Sequence, residues 1–187
     1  MRGYLLTVWS FLDPIYYLFT RLSYVSSSEQ TENIFRVRLT KYKGKPVTLS
    51  DGTFINKNDT LLKIHLHNVK LLRELKDIQS EIRKGKIIYK YVLQSLPDLH
   101  QYISNHKQSS EIRALIGITS LNKGCDRLGF EIIDITHPIY KWLKWISFIP
   151  IGLLSSSTPS IKQHQPSYLF MSKQTLEKMY EKKAKKS

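Results

Sequence analysis

The segment Thr60–Ile82, TLLKIHLHNVKLLRELKDIQSEI, changes its pattern of apolar residues in the middle. Its first part, Thr60–His67, has the composition and length of a β-strand. From Asn68 onward, apolar residues recur every three or four positions, which is the spacing of an amphipathic helix. Asn68 stands where an N-cap residue is favoured. The segment therefore predicts a strand followed directly by a helix whose buried side consists of Val69, Leu72, Leu75, Ile78 and Ile82.

Upstream of this junction, the sequence predicts antiparallel strands joined by tight turns. Residues in Asn33–Thr40 alternate between apolar and polar, so we expect a half-buried strand with Arg36 and Arg38 on its outer face. Ser50–Gly52 contains the Asp-Gly pair typical of a hairpin. Asn56–Asp59 is a second polar turn, in which short side chains bond to their own backbone.

Downstream, predicted helices alternate with predicted strands. Gly85 is expected to separate the first helix from a second one, and Ser95-Leu96-Pro97 to restart a helix. Ser172 is expected to cap a final helix. Together these elements predict an α/β (α+β) fold with a mixed central sheet, in which hairpin strands come first. The further predicted elements are strands at Arg113–Thr119, Phe130–Ile135 and Tyr168–Met171 and helices at Ser120–Leu128 and from His137 to Trp145.

We divide the chain into three parts. Residues 1–25 form an apolar N-terminal helix interrupted by Asp13-Pro14, too broken to span a membrane and without a signal-peptide cleavage site. This helix either packs on the core or lies flat in a membrane interface, and the sequence favours neither. Residues 26–180 form a single domain, and residues 181–187 a basic tail.

Positive charge is the dominant compositional feature of the 187 residues, with a formal net charge of +14. The excess comes from two blocks: fourteen basic against six acidic residues between 31 and 90, and nine against two between 136 and 187. Such a field attracts phosphate- or carboxylate-bearing surfaces, although solubility alone also accounts for part of it. Cys125 is the single cysteine, and we interpret it as a small, partly buried residue rather than a nucleophile.

The chemically richest positions lie around the strand-to-helix junction. On a strand, His65 and His67 share one face about 7 Å apart, and Asn68 follows at the corner. Either histidine could act as a general base, or one could be an ordinary hydrogen-bonded core residue. We predict no metal, because no further ligand stands at a telling spacing. The predicted ligand-binding residues are His65, His67, Asn68, Arg36, Arg38 and Arg83, the arginines serving as anion contacts.

A second candidate surface combines tryptophans with lysines. Residues 140–154, YKWLKWISFIPIGLL, are too short to span a membrane but have the composition of a segment that inserts into its interface. The alternative is a helix packed on the sheet with snorkelling lysines. The predicted membrane contacts are Trp9, Trp142, Trp145, Lys141 and Lys144.

Four ordered segments of the chain resemble the YkoP family of Firmicute bacteria. They are Phe35–Gly52, Lys57–Asn68, Ser80–Gly85 and Ile118–Glu131. The resemblance implies a domain found alone or appended to polysaccharide deacetylases, in the company of envelope glycosyltransferases. It assigns no catalytic or binding role to any residue here. No two histidines of this chain are four positions apart, so the chain lacks the metal pattern of the deacetylase itself.

The leading functional hypothesis is a cytoplasmic, membrane-peripheral domain that assists envelope polysaccharide or glycolipid metabolism. It would bind an anionic lipid-linked or glycan ligand without a cofactor, with a deacetylase or glycosyltransferase as a possible protein partner. The first alternative is an acyl- or group-transfer enzyme that uses His65 or His67. The second is a non-specific nucleic-acid binder, which we disfavour because base-reading motifs are missing from the sequence.

Overall fold

The computed structural model describes residues 22–25, 33–119, 124–135 and 166–184, and it has a mixed α+β architecture. The predicted N-terminal helix lies almost wholly outside these residues. The predicted helix from His137 also lies outside them, as do residues 185–187 of the basic tail, whereas residues 181–184 of that tail belong to the final helix. The strands are β1 (Ser23–Tyr24), β2 (Phe35–Lys41), β3 (Val47–Thr48), β4 (Phe54–Ile55), β5 (Thr60–Leu66), β6 (Ile112–Thr119), β7 (Glu131–Asp134) and β8 (Ser167–Ser172), and the helices are α1 (Asn68–Leu75), α2 (Glu81–Asn105) and α3 (Lys173–Ala184).

Six strands form one mixed sheet in the order β1-β2-β5-β6-β8-β7. Among the strands that the structure describes, only the central pair, β5 and β6, is parallel, and α1 and α2 provide the crossover that a parallel pair requires. The other neighbours in the sheet are antiparallel. The predicted fold class is therefore confirmed.

The sheet buries different partners on its two faces. On one face, Phe35, Val37 and Leu62 pack in a large apolar core with residues of all three helices. On the other face, a smaller core forms at one end of the sheet, where Ile55 of the β3–β4 hairpin covers Leu61. The part of this second face formed by β1, β2 and the second half of β5 carries polar side chains, and these form the candidate site described below.

The β3–β4 turn is held by two carboxylates. The Glu131 carboxylate accepts hydrogen bonds from the backbone N–H and the hydroxyl of Ser50, at 3.0 and 2.8 Å. Asp51 accepts from the hydroxyls of Ser172 and Thr175. Burial by itself raises the pKa of Asp51, but these hydrogen bonds and those from Thr53 outweigh it and lower the pKa overall. Ser172 also caps α3, as predicted, since its hydroxyl accepts from the backbone N–H of Thr175 at 2.8 Å.

The helical region differs from the prediction in three respects. Helix α1 ends at Leu75 instead of continuing to Ile82, and a new helix begins after Ser80, whose hydroxyl accepts from the backbone N–H of Arg83. Helix α2 then runs without a break through Gly85 and Pro97 for 25 residues. At the start of α1, His67 occupies the capping position predicted for Asn68, although its side chain makes no capping bond.

A buried polar contact explains why Ser95 does not restart a helix. Its hydroxyl accepts from the backbone N–H of Ile34 at 3.2 Å, and its carbonyl accepts from the Asn33 amide at 3.0 Å. Asn33 also donates to the Asp98 carboxylate at 3.2 Å. Tertiary hydrogen bonds thus use the very groups that suggested a local cap, and they attach the middle of α2 to the start of β2.

We predict that Ser95→Ala lowers the free energy of unfolding by about 1–3 kcal/mol, because it leaves the buried N–H of Ile34 without its acceptor. Urea denaturation measures the change. Ser104→Ala is the matched control, since the Ser104 hydroxyl donates only to the His100 carbonyl one turn earlier in the same helix. Equal stability of the two variants would show that the hydrogen bond from the Ile34 N–H to the Ser95 hydroxyl contributes nothing.

Candidate functional site

The pairing of β2 with β5 brings the basic residues of both strands together. Arg36 lies opposite His65, and Arg38 lies opposite Lys63. On the outer side of β2, Tyr24 of β1 lies opposite Arg36. Directly opposed residues of antiparallel strands project on the same side, so these five side chains share the sheet face that is not covered by the helices. We call them, together with His67, the basic cluster.

Arg36 is the centre of the basic cluster and is only 3% exposed. Its Nη2 donates to the Tyr24 hydroxyl at 2.9 Å and contacts Nε2 of His67 at 2.7 Å. The guanidinium carbon also stands 5.0 Å from the centre of the Tyr24 ring, within the range of a cation–π contact. The sequence predicted Arg36 on the outer face of its strand as an anion contact; the structure shows that this cation is buried there, between an aromatic ring and an imidazole.

The contact with Arg36 determines the protonation of His67. A guanidinium has donors and no acceptor, so Nε2 of His67 must accept the hydrogen bond. The neutral imidazole then carries its proton on Nδ1. This arrangement occupies the lone pair that a general base would need, and it therefore disfavours His67 as the base of the group-transfer hypothesis.

The face that carries the basic cluster has a strong excess of cations. Arg36, Arg38 and Lys63 contribute three positive charges. Among the described strand residues that project on this face, the acidic one is Glu131, which lies on the far strand β7 and bonds to Ser50. The cluster can therefore attract and orient a phosphate or carboxylate group.

The structure does not bring all the predicted ligand-binding residues together at one site. Arg83 is exposed on α2, which packs on the opposite face of the sheet from Arg36. Asn68 begins α1 directly after His67, and its side chain lies outside the described residues. All five predicted membrane contacts also lie outside them, so they remain predictions: Trp9, Trp142, Trp145, Lys141 and Lys144.

Two members of the basic cluster were missed by the sequence analysis. Lys63 could have been found, since it alternates with His65 along the same strand. Tyr24 could not, because its place beside Arg36 depends on the two-residue strand β1, which lies within the residues predicted as an N-terminal helix and pairs with β2. Within the described residues, no three His, Cys, Asp or Glu side chains converge in a way that could hold a metal ion.

A broad polar groove of about 600 Å³ lies at the other end of the strands, lined by residues from the end of β2 and the starts of β5, β6 and α3. Its lining mixes basic and acidic side chains, including Lys41, Arg113, Asp59 and Glu111. Neither His65 nor His67 lines it. The groove therefore gives no support to a transfer reaction at these histidines.

Cys125 is partly buried beside the main core. Burial, reinforced by the Asp126 carboxylate, raises the pKa of its thiol to about 11. At neutral pH the thiol is thus protonated and a poor nucleophile, which supports the interpretation of Cys125 as a packing residue.

Comparison with known proteins places the chain in a family. The YkoP domain model matches residues 2–180. A curated relative, the "Uncharacterized protein YkoP" of Bacillus subtilis (strain 168), is 52% identical over 185 residues, which cover 98% of this chain and 100% of the relative. No solved structure matches the chain significantly. The chain belongs to the YkoP domain family, and its Bacillus relative agrees with the Firmicute distribution that the resemblance implied.

We predict opposite tautomers for two histidines. His67 carries its proton on Nδ1 because Nε2 accepts from Arg36, whereas His106 carries it on Nε2 because its Nδ1 accepts from the backbone N–H of Gln108 at 3.1 Å. Long-range ¹H–¹⁵N correlation spectra above pH 7.5 distinguish the two forms. In Arg36→Met, His67 should revert to the common Nε2-protonated form while His106 stays unchanged. An Nε2-protonated His67 in the unmodified protein would contradict the geometry.

We also predict that the Cys125 thiol of the folded protein alkylates far more slowly at pH 8 than the same thiol in urea. The rate constant should rise with pH up to about pH 11, because the thiolate is the reacting species. Iodoacetamide labelling followed by mass spectrometry measures both rates. A folded-state rate at pH 8 that matches the rate in urea would restore Cys125 as a candidate nucleophile.

Proposed function

We propose that this member of the YkoP domain family is a binding domain of envelope polysaccharide or glycolipid metabolism. It works at the cytoplasmic face of the membrane, and the basic cluster holds a phosphate or carboxylate group of a lipid-linked or glycan ligand. The observation that carries the proposal is the grouping of Arg36, Arg38 and Lys63 with two histidines on one face of the sheet.

The setting of Arg36 supports recognition of an anion rather than general solubility. A solubilising cation needs contact with water, whereas Arg36 is almost entirely withdrawn from it. Burying a guanidinium costs free energy unless its donors are bonded. Tyr24 and His67 are bonded to the guanidinium and orient it. The guanidinium is thereby held at a fixed place, on the same face of the sheet as Arg38 and Lys63.

Binding is favoured over catalysis by the state of the histidines. His67 uses its basic nitrogen to accept from Arg36, which leaves His65 as the remaining candidate base. The broad polar groove at the other end of the sheet includes neither residue. A transfer enzyme that uses His65 is therefore the second candidate function, and turnover that is abolished by His65→Ala but not by His67→Ala would support it.

The membrane part of the proposal rests on composition. The net charge of +14 suits a surface of anionic lipid, and the tryptophan-bearing segments around Trp9 and Trp142 have the character of interfacial anchors. In the described part of the chain, no helix is long and apolar enough to cross a bilayer. Association with a deacetylase or glycosyltransferase is a further element of the proposal, supported by the family resemblance alone.

We predict that Arg38→Ala/Lys63→Ala weakens the binding of inorganic pyrophosphate by at least about a hundredfold, because it removes two charged hydrogen bonds that contribute about 1.5–3 kcal/mol each. Isothermal titration calorimetry measures the affinity, with glucuronate as a second probe to separate phosphate from carboxylate recognition. The matched control is Lys57→Ala/Lys107→Ala, which removes the same charge from two exposed lysines outside the basic cluster.

Two results would contradict the proposal. One is a loss of affinity in the control variant equal to that in Arg38→Ala/Lys63→Ala, since binding would then follow net charge alone. The other is retention on a DNA duplex that exceeds retention on anionic lipid at equal salt, which would favour the nucleic-acid alternative.

A further inference from the structure

The first half of α2 carries a surface that is separate from the basic cluster. Residues 81–94 precede the point at which Ser95 bonds to the start of β2, a length of about 20 Å at the rise of an α-helix. This half-helix packs on neighbouring elements through Tyr91, whose hydroxyl donates to the Glu74 carboxylate of α1. Its buried side includes Lys84 and Val92.

Between residues 81 and 90, the outward side of this half-helix is a stripe of one apolar and three basic residues. At 100° per residue, Ile82, Arg83, Lys86 and Lys90 fall within an arc of about 100°. All four are exposed, and Ile82 is 74% exposed, the largest value among the exposed large apolar residues of the described chain. We call these four residues the α2 stripe.

These three cations are not placed where they would stabilise the helix through its dipole. The N-terminal end of a helix carries a partial positive charge and favours acidic residues, while basic residues stabilise the other end. In α2 the three cations stand in the first three turns, and the last turn has no basic residue. Glu81, the acid of the first turn, is paired with Lys84 at 2.9 Å on the buried side, so it does not neutralise the stripe.

We infer that the α2 stripe docks the protein on an anionic lipid membrane. Arg83, Lys86 and Lys90 would pair with lipid phosphates, and Ile82 would insert between the headgroups. An exposed isoleucine beside lysines suits a bilayer, which offers both a charged surface and an apolar interior; the phosphate backbone of a nucleic acid offers only the first. The inference rests on the membrane location in the proposed function but uses no residue of the basic cluster.

Vesicle sedimentation tests the stripe at 0.1 M NaCl with equimolar phosphatidylglycerol and phosphatidylcholine, and with phosphatidylcholine alone. We expect Lys86→Ala/Lys90→Ala to lower the partition coefficient about 25-fold, near fivefold for each cation. Ile82→Ser should lower it about tenfold. Lys57→Ala/Lys107→Ala, with the same charge change at exposed positions outside the stripe, should lower it by less than threefold.

A fluorescent probe locates the contact independently. Ile82→Cys labelled with an environment-sensitive dye, in a Cys125→Ser background, should shift its emission to the blue on the anionic vesicles. The same dye at Lys57→Cys should not shift. Because both labelled positions are exposed, neither change disturbs the core.

The inference is overturned if the α2 stripe variants sediment like the Lys57→Ala/Lys107→Ala control. It is also overturned if the unmodified protein ignores phosphatidylglycerol, or if retention on a DNA duplex depends on Lys86 and Lys90 while Ile82 has no effect on vesicle binding. Pyrophosphate titration tests the basic cluster separately from the α2 stripe. The stripe variants should bind pyrophosphate as tightly as the unmodified protein does, whether or not the stripe binds membranes.

Discussion

The antiparallel register of β2 on β5 decides which side chains reach each face of the sheet. Val37 opposite Ile64 and Leu39 opposite Leu62 direct an apolar row toward the helices, so Arg36 must project on the other side beside His65. A slip of one residue would exchange the two sets and bury cations under α2. The large apolar core thus holds the basic cluster in place, although no member of the cluster belongs to that core.

The register of β2 on β5 places Arg36 in a buried position, and this lowers the stability of the fold. A buried guanidinium between Tyr24 and His67 stabilises the fold less than a well-packed apolar side chain of similar volume would. Proteins break the rules of burial most often at functional sites, where the loss of stability is offset elsewhere. Here the apolar face of the same strand provides the offset, with Phe35 and Val37 almost fully buried. The contrast within seven residues of β2 is the physical reason to look for function on this face.

Sequence periodicity was sufficient where local structure depends on local chemistry. The hairpin at Ser50–Gly52 and the cap at Ser172 formed as predicted, because each uses bonds between near neighbours in the chain or a turn that glycine favours. The prediction that a helix restarts at Ser95 was wrong. Ser95 bonds instead to residues more than sixty positions away, and α2 continues through Pro97. Within the site, alternation put Arg36 and Arg38 on one face of their strand but could not show that Arg36 is buried or that it lies opposite His65.

The basic block between residues 31 and 90 looks uniform in the sequence. The fold divides it between two surfaces, which differ in how deeply their cations are buried. Strands β2 and β5 set a buried arginine among fixed partners, where an interaction with an anion, as proposed above, would be short-ranged and weakly screened by salt. Helix α2 instead displays exposed lysines, whose attraction is long-ranged and falls steeply as salt rises. Because α2 packs on the opposite face of the sheet from the basic cluster, one anion cannot contact both surfaces. The excess of fourteen basic over six acidic residues in this block is therefore spread over two surfaces; under the proposed function, one would select a ligand and the other would concentrate the protein at a charged surface.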